Sequence, residues 1–425
     1  MQNFHAGSVL GSQQQALVPK LILAAALCVS ASVIWRPIRS HKAPYEPSPG
    51  KTISRHHLKD LPYPPDALPG ARDVETPYGS IRVYEWGPED GERVLFVHGI
   101  STPVVALGDL GHEMVARGYR VMMFEEIEDI NHRVEVVLMA NADLFGRGYS
   151  DAPNDLTYDT RLFVTQFLLV LASSKISWTT APGFHLVGYS LGGGLSVAFT
   201  RYFPHLVRSL CLIAPCGLIR RHHVGWRSWL YYNSGLLPEP LVKYLVRRRI
   251  RPDAKPVHVA GGLDIVAAEG GRMVKGDGDS NGGAGFNSAA ISKTRPHVTV
   301  SSVVAWQVDH HEGFVMAFMS TIRNAPIYAP QEDWKVLSKI LEIRRHDSRT
   351  HASGAESVAG LEGGKILVVL GKGDGVIVMD EMIEDATSVL GHDGIKFVAL
   401  EGGHELPITS SKSVAESIEG FWKSK

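Results

Sequence analysis

The stretch FHLVGYSLGGG, residues 184–194, constrains the fold of this 425-residue chain more than any other feature of its sequence. A mostly apolar run reaches Gly188, a single hydroxyl follows at Ser190, and a helix-compatible segment begins at Leu191. The pattern G-x-S-x-G between a buried strand and a helix is typical of a nucleophile elbow, a turn so tight that glycine must stand two residues before and after the serine. We therefore predict that Ser190 is held in a strained backbone conformation at the carboxyl end of a strand.

A serine hydroxyl at such a turn needs a histidine base whose other ring nitrogen is held by a carboxylate. In this architecture the acid and then the histidine follow the serine along the chain. His404, in LEGGHELP after the last predicted strand, is the expected base. Asp374 directly follows the apolar run KILVVLG and is the expected acid, because Asp380 and Asp385 would fall on the next helix.

Two backbone N–H groups are expected to bind the negatively charged oxygen of a tetrahedral intermediate. One is the N–H of Leu191, which follows the nucleophile directly. The second should come from the loop after the run VLFVHG, where Ile100 is the candidate. Gly99 permits the turn that aims this N–H inward, and His98 is expected to support the loop rather than to transfer protons.

Apolar runs alternate with helix-compatible stretches along most of the chain, which indicates βαβ units and a mainly parallel sheet. Short continuous apolar runs predict buried parallel strands, whereas SIRVYEWG alternates like an exposed antiparallel strand. The predicted strands cover residues 80–87, 93–99, 118–124, 184–188, 208–214, 365–371 and 395–402. The predicted helices cover residues 109–117, 160–171, 191–203 and 380–390. The fold class is therefore α/β, a mainly parallel central sheet flanked by helices, with an inserted and largely helical cap.

Shifts in composition divide the chain into a tail, a linker, a core and a cap. The N-terminal tail covers residues 1–43, and a proline-rich linker covers 44–70. The core is expected over 71–215 and 335–425, with the cap or lid inserted at 216–334. The first part of the cap is basic and aromatic, and its middle is rich in glycine. The formal net charge of −1 gives no indication of a nucleic-acid partner.

The tail contains LILAAALCVSASVIW, residues 21–35, in which no residue is charged. With residues 16–19 and a snorkelling Lys20, this stretch approaches the roughly 20 residues that span a bilayer. Our first interpretation is a hydrophobic anchor over about 16–35 that leaves the folded domain on the cytosolic side, because the basic run RPIRSHK follows it. A mitochondrial presequence, a cleaved secretory signal and a disordered apolar tail remain alternatives.

Five ordered blocks together resemble the α/β-hydrolase fold family over roughly residues 72–425. They are HGIS at 98–101, DLFGRGYSD at 143–151, GYSLGG at 188–193, GDG at 373–375 and GGHELP at 402–407. The sequence looks most like single-serine esterases, lipases and carbon–carbon bond hydrolases with a cap. The resemblance implies Ser190 as nucleophile, Asp374 as acid and His404 as base. Epoxide hydrolases and haloalkane dehalogenases share the fold but place Asp at the position of Ser190.

One segment departs from the family pattern. In relatives, the strand that corresponds to GYRVMMF runs almost directly into the D-x-x-G-x-G-x-S block. Here EEIEDINHRVEVVLMANA, residues 125–142, separates Phe124 from Asp143. We interpret this segment either as a loop insertion at the active-site rim or as a translated non-coding segment, and sequencing of the messenger RNA would distinguish the two.

The residues and the resemblance together predict a serine hydrolase that cleaves a carboxylic ester, with lipid esters favoured by the anchor. Such a reaction needs no metal or organic cofactor. The expected partners are a small ester with an apolar acyl group and, through the tail, a membrane. An acyltransferase, a C–C bond hydrolase with the same triad and a non-catalytic binding protein of the same fold remain alternatives. The cap aromatics are expected either to line an apolar pocket or to pack the cap on the core: Trp226, Trp229, Tyr231, Tyr232 and Trp306.

Overall fold

The computed structural model of the protein describes residues 44–53, 61–123, 144–251, 282–328, 332–350 and 360–424. The predicted anchor at 16–35, the segment 125–142 and most of the glycine-rich middle of the cap lie outside the described residues. Within the described ranges, none of the helices combines the length and the apolar content that a membrane crossing requires.

A mixed sheet of eight strands forms the centre of the described chain. The strands are β1 Tyr45–Glu46, β2 Ala71–Thr76, β3 Gly79–Trp86, β4 Arg93–Val97, β5 Arg120–Met123, β6 Ala152–Pro153, β7 Phe184–Tyr189, β8 Val207–Ile213, β9 Ile366–Gly371 and β10 Ile395–Leu400. The order in the sheet is β10-β9-β8-β7-β4-β5-β3-β2, and β1 pairs separately with β6. Six neighbouring strands of the sheet run parallel: β10, β9, β8, β7, β4 and β5. The strands β2 and β3 form an antiparallel edge. The carboxyl ends of the parallel strands therefore share one edge of the sheet.

The longer helices are α1 Gly108–Val115, α2 Thr160–Ala172, α3 Leu191–Tyr202, α4 Glu239–Ile250, α5 Val300–His310, α6 Phe314–Asn324, α7 Glu332–Thr350, α8 Met379–Leu390 and α9 Ser411–Trp422. All of them except α4, α5 and α6 flank the sheet in two packed groups. Helix α1 packs with α9, whereas α3 packs with α2 and α7, and α7 contacts α8. Because helices cover the sheet, β7 and β9 are buried at every position, which explains their continuous apolar sequences. The predicted α/β fold class is confirmed.

The strand β3 differs from its predicted environment. It is antiparallel to both neighbours, as its alternating sequence indicated. It is nevertheless buried along almost its whole length rather than exposed. The proline-rich segment covers it, since the hydroxyl of Tyr84 donates to the carbonyl of Pro65 at 3.2 Å.

The described part of the predicted linker 44–70 packs on the core and does not extend away from it. Tyr63 and Leu68 are buried, and the carbonyl of Tyr63 accepts the hydroxyl proton of Tyr149 at 2.9 Å. Lys51 forms an ion pair of 2.8 Å with the buried Asp151. Prolines suit this role because they have no backbone N–H that would need an acceptor when the segment packs on the core.

The region between β8 and β9 carries the helices expected of a cap. Helices α4, α5 and α6 pack on one another, and the short helix Gly282–Ser288 packs on α5. Helix α7 instead packs on α3 of the core. The boundaries of the cap at 216 and 334 stay a prediction.

Candidate active site

Ser190 occupies the turn between β7 and α3, with φ 53° and ψ −119°. This is the strained, left-handed side of the backbone map that a residue with a Cβ rarely adopts. A Cβ at Gly188 would lie 2.5 Å from Ser196 Oγ, and one at Gly192 would lie 2.6 Å from the carbonyl carbon of Val97. The two glycines are therefore required for the turn to fit between the strand and the helix.

The three predicted triad residues come together at the carboxyl edge of the sheet. His404 Nε2 lies 3.0 Å from Ser190 Oγ, and His404 Nδ1 lies 2.9 Å from Asp374 Oδ2. A carboxylate can only accept at Nδ1, so Nδ1 carries a proton and Nε2 is left to accept the serine proton. The arrangement has the geometry of a nucleophile, a base and an orienting acid.

Asp374 and His404 are fixed by the loops that follow β9 and β10. The second oxygen of Asp374 accepts the backbone N–H groups of Val376 and Ile377 at 2.7 and 2.9 Å. The hydroxyl of Tyr189 donates to the carbonyl of His404 at 2.7 Å. Asp380 and Asp385 lie on α8, and Asp385 binds Arg220, so neither is placed at the histidine.

The predicted oxyanion donors border the nucleophile. A Cβ at Gly99 would lie 3.4 Å from Ser190 Cβ, so the loop after β4 runs directly beside the serine. Across the described ranges, neither the N–H of Ile100 nor that of Leu191 has a hydrogen-bond acceptor. Two unengaged N–H groups at a helix N-terminus and an adjacent loop are suited to a developing negative charge.

His98 lies at the base of this loop and is completely buried. Its Nδ1 lies 2.8 Å from the carbonyl of Gly99, and its Nε2 accepts the backbone N–H of Leu144 at 3.1 Å. These contacts fix the neutral tautomer with the proton on Nδ1. Burial lowers the pKa of His98 to about 3, and the nearby Arg147 adds to this effect. Its place is that of a loop support.

Sequence reasoning missed the side chains that connect this loop to the cap. Arg147 Nε donates to the carbonyl of Ile100 at 3.0 Å, and its Nη2 donates to Thr321 Oγ1 on α6 at 2.9 Å. Gln307 on α5 accepts from the N–H of Gly148 at 2.8 Å and donates to the carbonyl of Ser101 at 2.9 Å. The block DLFGRGYSD marked the region of Arg147, but no sequence signal pointed to Gln307.

The triad is enclosed. Ser190 has no exposed surface, and the side chains of His404 and Asp374 are each 1% exposed. Phe286, in the short helix of the cap, places its ring 5.8 Å from that of His404. The reacting groups of the triad are therefore shielded from bulk solvent in this structure.

Four of the five cap aromatics divide into a buried and an exposed group, and Tyr231 is half-buried against the core. Trp306 and Tyr232 are buried, and Trp306 packs edge-on against Tyr63 at 5.6 Å between ring centroids. Trp226 and Trp229 are exposed. The two exposed tryptophans therefore neither line an enclosed pocket nor pack the cap on the core.

A second chain of serine, histidine and carboxylate lies near the amino ends of β4, β7 and β8. Ser209 Oγ lies 2.6 Å from His185 Nδ1, and His185 Nε2 lies 3.3 Å from Glu92 Oε2. The ring of Trp422 stacks on His185 at 3.9 Å. The hydrogen bond to His185, reinforced by Arg208, lowers the pKa of Glu92 to about 2. Ser209 lies within β8, directly after a β-bulge at Arg208, and not at a turn between a strand and a helix.

One group of side chains outside both sets of serine, histidine and carboxylate contains residue types that ligate metal ions. Within the described segments, ligand atoms of His222, His223 and Glu381 all lie within 4.8 Å of one another. The guanidinium of Arg220 lies 3.8 Å from the same carboxylate and competes for it. The prediction that the triad needs no cofactor stays a prediction.

Comparison with curated proteins gives only a short match. No family model matches the chain. Uncharacterized proteins of Mycobacterium tuberculosis (strain H37Rv) and Mycobacterium bovis are each 25% identical to it over 162 residues. The matched segment covers 38% of this chain and 40% of each of these relatives.

Solved structures resemble the chain over much more of its length. A putative lipase from Acinetobacter baumannii AYE is 15% identical, with a TM-score of 0.51, and the match covers 83% of this chain and 91% of that one. The carboxylesterase CesB from Bacillus subtilis is 15% identical, with a TM-score of 0.50 and coverage of 84% and 92%. A membrane phospholipase A, described as a bacterial virulence factor, is 15% identical, with a TM-score of 0.51 and coverage of 97% and 98%. Likeness at this level of identity concerns the fold, and it confirms the family resemblance to that extent: the chain has the α/β-hydrolase fold.

Proposed function

We propose that this protein is a serine hydrolase that cleaves a carboxylic ester through an acyl-enzyme intermediate. The observation that supports this most directly is the pair of hydrogen bonds from Ser190 to His404 and from His404 to Asp374. The three residues follow three different strands, so the sheet itself sets the distances between them.

In the first half of the reaction, His404 Nε2 takes the hydroxyl proton of Ser190 as the oxygen attacks the ester carbonyl. Asp374 orients the ring and stabilises the imidazolium that forms. The carbonyl oxygen becomes negative and is bound by the N–H groups of Ile100 and Leu191. His404 then gives the proton to the leaving alcohol, and the acyl group stays on Ser190.

In the second half, water attacks the acyl group, and His404 again accepts the proton. The tetrahedral intermediate collapses, the serine recovers its proton and the carboxylic acid leaves. The enclosure of the triad favours both steps, because charge interactions are stronger in a site from which bulk water is excluded.

The substrate class that we propose is an ester with an apolar acyl group, lipid esters included. The rings of Phe286 and Tyr189 flank that of His404, with centroids 5.8 and 5.2 Å away. Attachment to a membrane through residues 16–35 would bring the site close to such esters. That anchor, and the cytosolic placement of the folded domain, are part of the proposal and have their basis in the sequence alone.

Labelling with a fluorophosphonate probe tests the proposed nucleophile. We expect the wild-type chain to be labelled and Ser190→Ala not to be labelled. Ser209→Ala is the matched control, because it removes a buried serine that also contacts a histidine, and it should label like the wild type. Equal labelling of Ser190→Ala and wild type would exclude Ser190 as the nucleophile.

A panel of p-nitrophenyl esters of increasing acyl length tests the substrate class. We expect kcat/KM to rise from the acetate to medium-chain esters, because apolar surface is buried with each added methylene. A preference for acetate over every longer ester would contradict the proposed apolar acyl group and leave the triad untouched.

A further inference from the structure

The first part of the cap exposes large apolar side chains in one short stretch. Trp226 is 69% exposed, Trp229 52% and Leu236 71%. Of the large hydrophobic side chains that are exposed in the described residues, five of eight lie between residues 226 and 244. Clustered exposure of this kind marks an interaction surface, whereas single exposed apolar residues do not. We name Trp226, Trp229, Leu236, Leu241 and Tyr244 the aromatic cap face.

The helical geometry places two of these side chains on one side of α4. Leu241 and Tyr244 are three residues apart on α4 and exposed, while Val242 and Val246 are buried on its other side. Both α4 and the helical turn Trp229–Asn233 pack against α6. Their outer faces are therefore turned away from α6.

Hydrogen bonds hold these two helical pieces together. Arg323 on α6 donates to the carbonyl of Tyr232 at 3.2 Å and forms an ion pair of 2.7 Å with Glu239 at the start of α4. The same guanidinium also donates to the carbonyl of Tyr231. The aromatic cap face is thus presented by a braced structure.

Positive charge accompanies the aromatic cap face. Residues 220–251 contain eight Arg or Lys and one acidic residue, Glu239, which Arg323 already pairs. Three of the eight, Arg220, Arg247 and Arg251, pair with acids outside this stretch. Arg227, Lys243 and Arg248 are exposed, and within the described ranges none of them forms an ion pair. The guanidinium of Arg227 lies 5.4 Å from the ring centroid of Trp226. Basic and aromatic groups are therefore mixed on one surface.

We propose that the aromatic cap face binds the surface of a bilayer that contains anionic phospholipid. Trp and Tyr side chains prefer the boundary between headgroups and acyl chains, and basic side chains beside them are attracted to lipid phosphates. A second copy of the chain fits less well, because a symmetric contact through this face would bring the same basic residues together. The inference goes beyond the proposed ester hydrolysis and does not depend on it.

Vesicle binding by the full-length chain carrying Ser190→Ala tests the proposal without hydrolysis. Vesicles of phosphatidylcholine alone are compared with vesicles in which about a third of the lipid is phosphatidylglycerol. Trp226→Ser with Trp229→Ser should weaken partitioning by about tenfold or more, because apolar area buried in the interface sets the affinity. Arg227→Gln, Lys243→Gln and Arg248→Gln together should weaken it about a hundredfold on anionic vesicles only. Ile343→Ser, at an exposed apolar residue on α7, is the matched control and should bind like its parent.

A fluorescent reporter separates the aromatic cap face from the N-terminal tail, which could bind vesicles by itself. Leu236→Cys in a Cys28→Ser background is labelled with an environment-sensitive dye, since Cys211 and Cys216 are buried. We expect its emission to rise on anionic vesicles, and that of an equivalent label at Ile343→Cys to stay unchanged. An unchanged signal at position 236 would overturn the proposal. Vesicle binding that both sets of substitutions leave at the parent level would also overturn it. So would a dimer in solution that Trp226→Ser with Trp229→Ser converts to a monomer while vesicle binding stays the same.

Discussion

Two chains of hydrogen bonds with the same order of groups lie at opposite ends of β7. Ser190, His404 and Asp374 meet at its carboxyl end, with links of 3.0 and 2.9 Å. Ser209, His185 and Glu92 meet near its amino end, with links of 2.6 and 3.3 Å. Distances between side chains therefore do not distinguish the two chains.

The two sites differ in the ring nitrogen that faces the serine, Nε2 of His404 but Nδ1 of His185, and in the backbone around each serine. Ser190 stands at a strained turn before a helix, beside two N–H groups that have no acceptor within the described residues. Ser209 lies inside β8 next to a β-bulge, with no helix following it, and Trp422 covers its histidine. The comparison teaches that a serine beside a histidine becomes a candidate nucleophile through the turn and the oxyanion donors around it.

Substitution of the acid at each end of β7 should give the largest difference in kcat. Asp374→Asn should lower kcat about 10⁴-fold, because an amide no longer holds His404 in the tautomer with the proton on Nδ1. Glu92→Gln should change kcat less than threefold. Steady-state hydrolysis of the best p-nitrophenyl ester measures both. A similar loss of kcat in the two variants would contradict the distinction between the two ends of β7.

The turn itself can be tested by adding one methyl group. Gly192→Ala should destabilise the fold by about 3 kcal/mol, because its Cβ would overlap the carbonyl group of Val97 in a packed core. Gly420→Ala, where nothing lies within 4 Å, should instead stabilise α9 by up to about 1 kcal/mol. Urea unfolding curves measure both changes, and a neutral Gly192→Ala would contradict the described turn.

The pH dependence of stability tests His98, which lies at the base of the loop that carries Ile100. His98 has a folded pKa of about 3, below the ordinary value of 6.5, so the unfolded chain binds a proton first as pH falls. Its contribution to stability is present above pH 6.5 and is lost progressively as pH falls toward 3, by about 2 kcal/mol between pH 7 and 5. Glu92, with a pKa lowered to about 2, titrates below this window.

The matched variant for this measurement is His98→Gln. It should be less stable than the wild type at pH 7 and should lose less stability between pH 7 and 5. His311, which is buried with a pKa lowered to about 4, contributes in the same direction in both proteins. Identical pH slopes for the two proteins would show that His98 is not held neutral.

The smallest expected effect comes from Ser209, the serine that does not stand at a turn. Ser209→Ala should cost about 1 kcal/mol of folding free energy, the usual contribution of one buried hydrogen bond. Its esterase activity should match that of the wild type. Loss of activity with an unchanged unfolding midpoint would place a catalytic role at the amino end of β7 and would reverse the comparison.

Much of the site followed from local rules that a sequence expresses directly. The glycines around Ser190 are required by one tight turn, and the positions of Asp374 and His404 follow because parallel strands end at the same edge. Helices predicted at 160–171 and 191–203 begin at Thr160 and Leu191 and end within one residue of the expected positions.

What the sequence did not predict depends on contacts between distant residues. Gln307 donates to the carbonyl of Ser101, 206 positions away in the chain, and no periodicity in the sequence indicates such a contact. The burial of β3 was missed because its cover comes from a proline-rich segment that has no regular pattern. Exposure of Trp226 and Trp229 was equally hidden, since a tryptophan in a helical stretch usually faces inward.

The side chain of Gln307 joins the cap to the nucleophile's surroundings in a way that has a thermodynamic consequence. One of its hydrogen bonds holds Ser101, next to Ile100, and the other holds Gly148, next to Arg147. Movement of α5 away from the core would break both bonds and release that loop. If movement of the cap and ligand binding at the site are coupled through this side chain, whatever favours one favours the other by the same free energy.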